Sequence, residues 1–189
     1  MPLSSLERFE GAGVYALYYL GPFPSYKLLA ASNLQKPCSL PIYVGKAVPD
    51  GSRKGGLGLG DNPGRVLFNR LGEHLGSINA ATNLDAKDFY CRYLVTDDIW
   101  IPLGEALLID QFSPVWNRVL DGFGNHTPGT GRFKQQRSRW DTLHPGRPWA
   151  EKCAVNNTSL ETITELVEAF LAGKAVPTRS TRQSVSEDD

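Results

Sequence analysis

Residues 13–20 read Gly-Val-Tyr-Ala-Leu-Tyr-Tyr-Leu. The run is β-branched and aromatic, with turn residues on both sides, and this composition predicts a strand. A second short apolar run, Pro41 to Gly45 (PIYVG), and a third, Asp88 to Thr96 (DFYCRYLVT), predict two more strands. Between the second and third, Pro63 to Ile78 carries Val66, Leu67, Leu71, Leu75 and Ile78 at helical spacing. Pro102 suits the first position of a helix running to about Phe112. Ser159 opens an amphipathic helix with a capping pattern, and the helix ends at Gly173. Residues 21–40 read as an irregular connection, 51–64 as a flexible glycine-rich loop, and 117–149 as mostly loop. Three short strands among helices predict an α+β fold: a small, mostly antiparallel three-stranded sheet flanked by helices, with a loop-rich elaboration and a C-terminal helix. The expected organisation is one domain over residues 1–175 and a polar, disordered tail over 176–189.

Composition narrows the class. The chain has 189 residues, enough for one domain with a real core. No apolar run approaches the roughly 18 residues of a membrane span, and the N-terminus has no signal-peptide pattern. Cys38, Cys91 and Cys153 lie far apart, an odd count that fits neither a disulfide framework nor a zinc site. The expectation is a soluble cytoplasmic protein, with no membrane partner. Net charge is zero, which argues against a generic DNA-coating protein. Charge is nevertheless segregated. Residues 118–149 carry six basic side chains against Asp121 and Asp141, whereas the chain from Ala150 onward carries seven acids against four bases. A solvated basic loop would read the same way.

Several side chains invite a chemical reading. Arg70 and His74 are four apart, so they share one face of the predicted helix; an exposed basic edge is the plain alternative. Glu105 has Ile101, Leu108 and Phe112 as helical neighbours, which puts a carboxylate on an apolar face. Such a group must be paired, hydrogen-bonded or bound to a cation. A salt bridge to an arginine would also satisfy it. Tyr15 and Tyr43 lie in strands, where packing is the ordinary role, and Asn117 reads equally as a turn residue.

Together these residues resemble a known pattern. Gly13-Val-Tyr15 and Tyr43-Val-Gly45, one per strand, resemble the signature of the GIY-YIG nucleases. Arg70, Glu105 and Asn117 follow in the family's order and on the expected elements. The segments GAGVYALYY, LPIYVGKAVP, NRLGEH, DGFGNHTPGTGRF and HPGRPWAEKC extend the resemblance, over roughly Glu7 to Cys153, to Type II restriction endonucleases of this fold that cut CCGCGG. That branch carries an Arg and a His four apart, matching Arg70 and His74. Its members have a longer segment before the first strand than this chain has, and the 51–64 loop differs in composition.

The resemblance implies a Mg²⁺-dependent hydrolase acting on double-stranded DNA, with Mn²⁺ able to replace Mg²⁺. Glu105 is then the metal ligand, Arg70 donates to the non-bridging phosphate oxygens, and Tyr15 is the candidate base for the attacking water. A free phenol ionises near pH 10, so His74, with Lys46 as a supporting cation, is expected to assist it or take its proton. Tyr43 is expected to bond the nucleophile or the phosphate, and Asn117 to position Glu105 or the phosphate. Base reading is expected in the basic stretch, from Asn125, His126, Arg132, Lys134, Arg137 and Arg139, where phosphate contact is an equally good role for any one of them. A palindromic site implies a symmetric homodimer, and a restriction enzyme implies a cognate DNA methyltransferase in a prokaryotic cell. Three other readings stay open. They are a repair or homing nuclease of the same type, a histidine-based metal nuclease built on Asn125-His126 and His144, and a non-catalytic DNA-binding domain.

Overall fold

The computed structural model describes residues 1–49, 63–125 and 135–178. Three strands form one antiparallel sheet: β1 (Gly13–Tyr19), β2 (Tyr43–Ala47) and β3 (Phe89–Val95), in the order β2-β1-β3. Around it lie six helices among the described residues: α1 (Lys27–Gln35), α2 (Val66–Ala80), α3 (Ile101–Phe112), α4 (Val115–Arg118), α5 (Arg139–Leu143) and α6 (Leu160–Leu171). This is the expected α+β architecture, antiparallel throughout.

All seven residues of β1 are buried because the strand is central and covered on both faces. On one face Tyr15, Leu17 and Tyr19 join Leu67 and Leu71 of α2 in the main core. On the other, Val14 packs with Ile101, and Ala16 with Val44 and Ile109, so α3 covers that side. The same main core takes in Trp116, Phe123, Trp140 and, from α6, Ile163 and Val167. The C-terminal helix therefore belongs to the body that holds the sheet.

Two expectations are corrected. The 21–40 connection contains α1, whose buried residues are Leu29, Ala30 and Asn33 while Leu28 and Leu34 are exposed. Its leucines do not share one face, so the helix leaves little periodic signal. Asn33 supplies the anchor instead. Its amide donates to the carbonyls of Tyr19 and Leu40, and its oxygen accepts from the backbone N–H groups of Ser39 and Leu40. That one buried side chain ties β1 to the approach to β2. Within the 117–149 region, α5 is a genuine turn of helix, capped by Ser138, whose hydroxyl accepts from the Asp141 N–H at 3.0 Å. The strands, α2, α3 and α6 fall within a few residues of their expected bounds, and the short α4 is a further helix that the sequence reading did not expect. Ser159 caps α6 as its sequence predicts, accepting from Thr162 N–H at 3.2 Å.

Candidate active site

The cross-strand register explains the two glycine–tyrosine motifs. Tyr15 lies opposite Gly45, and Leu17 opposite Tyr43. Opposed residues share a face of an antiparallel pair, so Tyr15, Tyr43 and Gly45 all look toward α2. A side chain at Gly45 would collide with the Tyr15 ring, its Cβ lying 2.6 Å from Cζ. Gly13 is similarly confined, since a Cβ there would overlap the carbonyl of Leu94 on β3. The glycines are thus steric requirements of the sheet.

The helix α2 buries Leu67, Arg70, Leu71, His74 and Ile78 on one face. Arg70 and His74 therefore point into the protein, and the exposed-edge reading does not hold for them. His74 Nε2 meets the Tyr15 hydroxyl at 2.5 Å. The imidazole also lies edge-on to Tyr43, with ring centres 5.3 Å apart at 68°, and is stacked on Phe123 at 4.5 Å and 14°. Phe123 in turn meets Tyr43 edge to face at 4.9 Å. Arg70 donates from Nη1 to Glu73 at 3.1 Å and from Nη2 to the Gly124 carbonyl at 3.0 Å. Two tyrosines, a histidine and an arginine thus converge on the α2 side of the sheet.

Lys46 and Glu105 lie on the opposite side. Lys46 pairs with Val14 in the register, which turns it toward α3. Its Nζ is 3.4 Å from Oε2 of Glu105, and Glu105 is fully buried. An ion-pair partner of this carboxylate among the described residues is Lys46 on β2; the sequence suggested an arginine as one way to satisfy it. No group of three His, Cys, Asp or Glu side chains forms a metal cage among the described residues. A cation beside Glu105 would rest on this one carboxylate, on water and on substrate oxygens, a donor set that suits a hard divalent ion. The Lys46 ammonium now stands beside this carboxylate, so a cation bound to Glu105 would share it with, or displace, that lysine.

Asn117, on α4, is buried and serves β2 directly. Its Oδ1 accepts from Val44 N–H at 2.9 Å, and its Nδ2 donates to the Val44 carbonyl at 2.8 Å. The side-chain amide imitates a neighbouring strand along the outer edge of β2. It bonds backbone between Tyr43 and Gly45, where the sequence suggested the Glu105 carboxylate or a phosphate.

The basic stretch divides. His126, Arg132 and Lys134 lie outside the described residues. Arg137 donates from Nε to the Ala150 carbonyl and pairs with Glu151, and Arg139 donates to the Val119 carbonyl. Arg147 is buried against Asp141. Part of the local positive charge is therefore matched inside the fold. His144 belongs to the core. Its Nε2 meets the Tyr26 hydroxyl at 2.6 Å, its Nδ1 meets Asn83 Oδ1 at 2.9 Å, and burial pulls its pKa down to about 3. With both ring nitrogens bonded to protein, His144 offers no ligand to a histidine-based metal site, and that reading is withdrawn.

Sequence reasoning missed Phe123, Asp141 and Arg147. The sequence does contain a signal for the last two: Asp141 is one of only two acids within a basic stretch, and Arg147 stands near Trp149.

No curated protein matches the chain. A family model described as the Eco29kI GIY-YIG domain matches residues 7–171. This span includes the three strands, α1 to α6 and each of the convergent side chains described above. The matched span contains the Gly-Val-Tyr and Tyr-Val-Gly strands, Arg70, His74 and Glu105, and the chain belongs to the Eco29kI family of GIY-YIG nucleases.

Proposed function

We propose that the protein is a Type II restriction endonuclease that hydrolyses both strands of a palindromic DNA site, with CCGCGG as the sequence. The observation that carries the catalytic part is the contact between the Tyr15 hydroxyl and His74 Nε2 at 2.5 Å. A neutral imidazole has one nitrogen that accepts. The phenol proton then has a buried destination, so Tyr15 can take a proton from an attacking water while passing its own to His74. Tyr43, edge-on to the imidazole, confines it from a second side. Arg70 lies on the helix that carries His74, and its guanidinium suits the non-bridging oxygens of a phosphate, where charge develops.

Glu105 would hold Mg²⁺ or Mn²⁺. The metal, when bound, supplies Lewis acidity to the scissile phosphate and charge stabilisation to the leaving oxygen. Lys46 supplies a counter-charge to the carboxylate within an apolar surround. Glu105 and the tyrosines lie on opposite sides of β2, which is an edge strand. One phosphate can meet both only across that outer edge, and Asn117 holds the edge in shape. Base reading falls to Asn125, His126, Arg132, Lys134, Arg137 and Arg139, of which Arg137 and Arg139 also brace the fold.

One chain supplies one set of these residues, and a double-strand cut at a palindrome needs two. A two-fold homodimer meets the need, each copy reading the same half-site. A cognate methyltransferase would protect the host genome. Incubation with a plasmid library and Mg²⁺, sequencing of the cut ends, and measurement of mass in solution test the reading together. Cleavage confined to CCGCGG by a dimer is the expected result. A monomer that nicks without sequence preference would overturn the restriction-enzyme reading.

A further inference from the structure

We propose that Arg147 is a positioning residue for the active site, acting through the backbone of residues 122–125 on Arg70 and His74. The proposal rests on the reading of those two as active-site groups. Arg147 is almost fully buried, far from the sheet in sequence, and makes an unusual number of directed bonds. Its Nε and Nη2 donate to the two oxygens of Asp141 at 2.6 and 2.7 Å. Nη2 also donates to the Gly122 carbonyl at 2.6 Å, and Nη1 to the carbonyls of Phe123 and Asn125 at 3.1 and 3.2 Å. The guanidinium lies over the rings of Trp140 and Trp149, with its centre 4.6 Å from each ring centroid.

This geometry needs arginine. A planar fork with five donors can engage a carboxylate and three carbonyls at once, whereas an ammonium on a flexible stem cannot fill those directions. Asp141 is itself held, because Ser138 donates to its Oδ2 at 2.7 Å. Ser138 also abuts Gly122, where φ is +90° and any Cβ would overlap the serine side chain. The 122–125 backbone is therefore gripped from the α5 side by Arg147 and Ser138.

The other side of that backbone faces the site. The Phe123 ring stacks on the His74 imidazole, and the Gly124 carbonyl accepts from Arg70. The three Arg147-bonded carbonyls bracket these two contacts in sequence. Moving the guanidinium moves the ring and the carbonyl together. A buried ion pair that served only α5 would require none of the three carbonyl bonds. Displacement of about 1 Å costs a catalytic constellation about 10²-fold in rate.

The Arg147→Lys variant keeps the charge opposite Asp141 and loses the fork. Phe123 lies face-on to the imidazole, so its ring current shields the His74 ring protons. In a folded Arg147→Lys protein these NMR resonances, assigned with His74→Gln, should move. Single-turnover cleavage of plasmid DNA with Mg²⁺ should fall about 10²-fold, and affinity for the same DNA with Ca²⁺ should stay within a few-fold. Wild-type His74 resonances together with a wild-type rate in the folded variant overturn the proposal. Should Arg147→Lys not fold, Phe123→Leu keeps the carbonyl acceptors while removing the stacked ring. It must then lower the rate and shift its pH profile, and an unchanged rate and profile also overturn the proposal. A wild-type protein that fails to cut DNA would sink the nuclease reading, while the His74 resonances would still decide the positioning role.

Discussion

Gly45 and Tyr15 face each other across β1 and β2 so closely that a Cβ on Gly45 would overlap the Tyr15 hydroxyl and stand 2.6 Å from its Cζ. The same hydroxyl is the one that meets His74. The glycine of the second motif therefore makes room for the side chain of the first.

Gly45→Ala follows directly. The tyrosine ring must tilt or the strands must part, and either change disturbs the 2.5 Å contact with His74. Overpacking a tight core costs about 1–3 kcal/mol, so the variant should fold with a lowered Tm and lose cleavage beyond what that loss of stability explains. Calorimetry and cleavage rates at a temperature well below Tm separate the two effects. A folded Gly45→Ala enzyme with the wild-type rate would show that the hydroxyl position is not critical.

Tyr15→Phe removes one oxygen and preserves the ring packing against Tyr43 and His74. A positioned base contributes about 10²–10⁴-fold, and single-turnover cleavage should fall by that range. Tyr43→Phe should fall less, because the hydroxyl that meets His74 Nε2 is that of Tyr15. The reverse order of the two losses would assign the base to Tyr43.

Glu105 and Lys46 form a buried pair, so removing either takes a counter-charge from the other in an apolar place. Lys46→Met should cost about 3–5 kcal/mol without metal, the usual penalty for breaking such a pair. Mg²⁺ should restore part of that loss, because a cation bound at Glu105 takes over the role of the ammonium. The predicted signature is a larger Mg²⁺-induced rise in Tm for Lys46→Met than for wild type, with no such rise in Glu105→Gln. Glu105→Gln should also abolish cleavage while retaining DNA binding. Equal Mg²⁺ shifts in all three proteins would remove the metal from Glu105.

His144 predicts an acid-side loss of stability. Its pKa is pulled down to about 3 by burial, while an unfolded histidine protonates near 6.5. The unfolded chain therefore takes up a proton that the native state refuses. Sign follows from that difference: stability is full above about 6.5 and is lost as pH falls toward 3, at about 1.4 kcal/mol per pH unit. Urea midpoints between pH 7.5 and 5 should drop accordingly for wild type. The drop should be smaller by about 2 kcal/mol in His144→Gln, which keeps polar atoms near Tyr26 and Asn83. Parallel pH curves for the two proteins would contradict the assignment.

Much of this molecule was legible in the sequence because the relevant patterns are local. β1 is a run of apolar and aromatic residues, α2 repeats its apolar side chains at helical spacing, and Ser159 announces α6. Gly13-Val-Tyr15 and Tyr43-Val-Gly45 carry the family resemblance within three residues each, and Glu105 stands out as a carboxylate among apolar helical neighbours. Other features needed the folded chain. The helix α1 is held by Asn33 and by scattered contacts, so its leucines show no shared face. Lys46 and Glu105 are 59 positions apart, and their pairing depends on the register that turns Lys46 toward α3. Asn117 finds Val44, and Arg147 finds Asp141 and the 122–125 carbonyls, only after distant segments pack. Local order follows from backbone geometry and side-chain periodicity, both of which are written along the chain. The partner of a buried polar group is chosen by burial itself, which removes water and leaves each donor or acceptor to be satisfied by whatever the tertiary fold brings within reach.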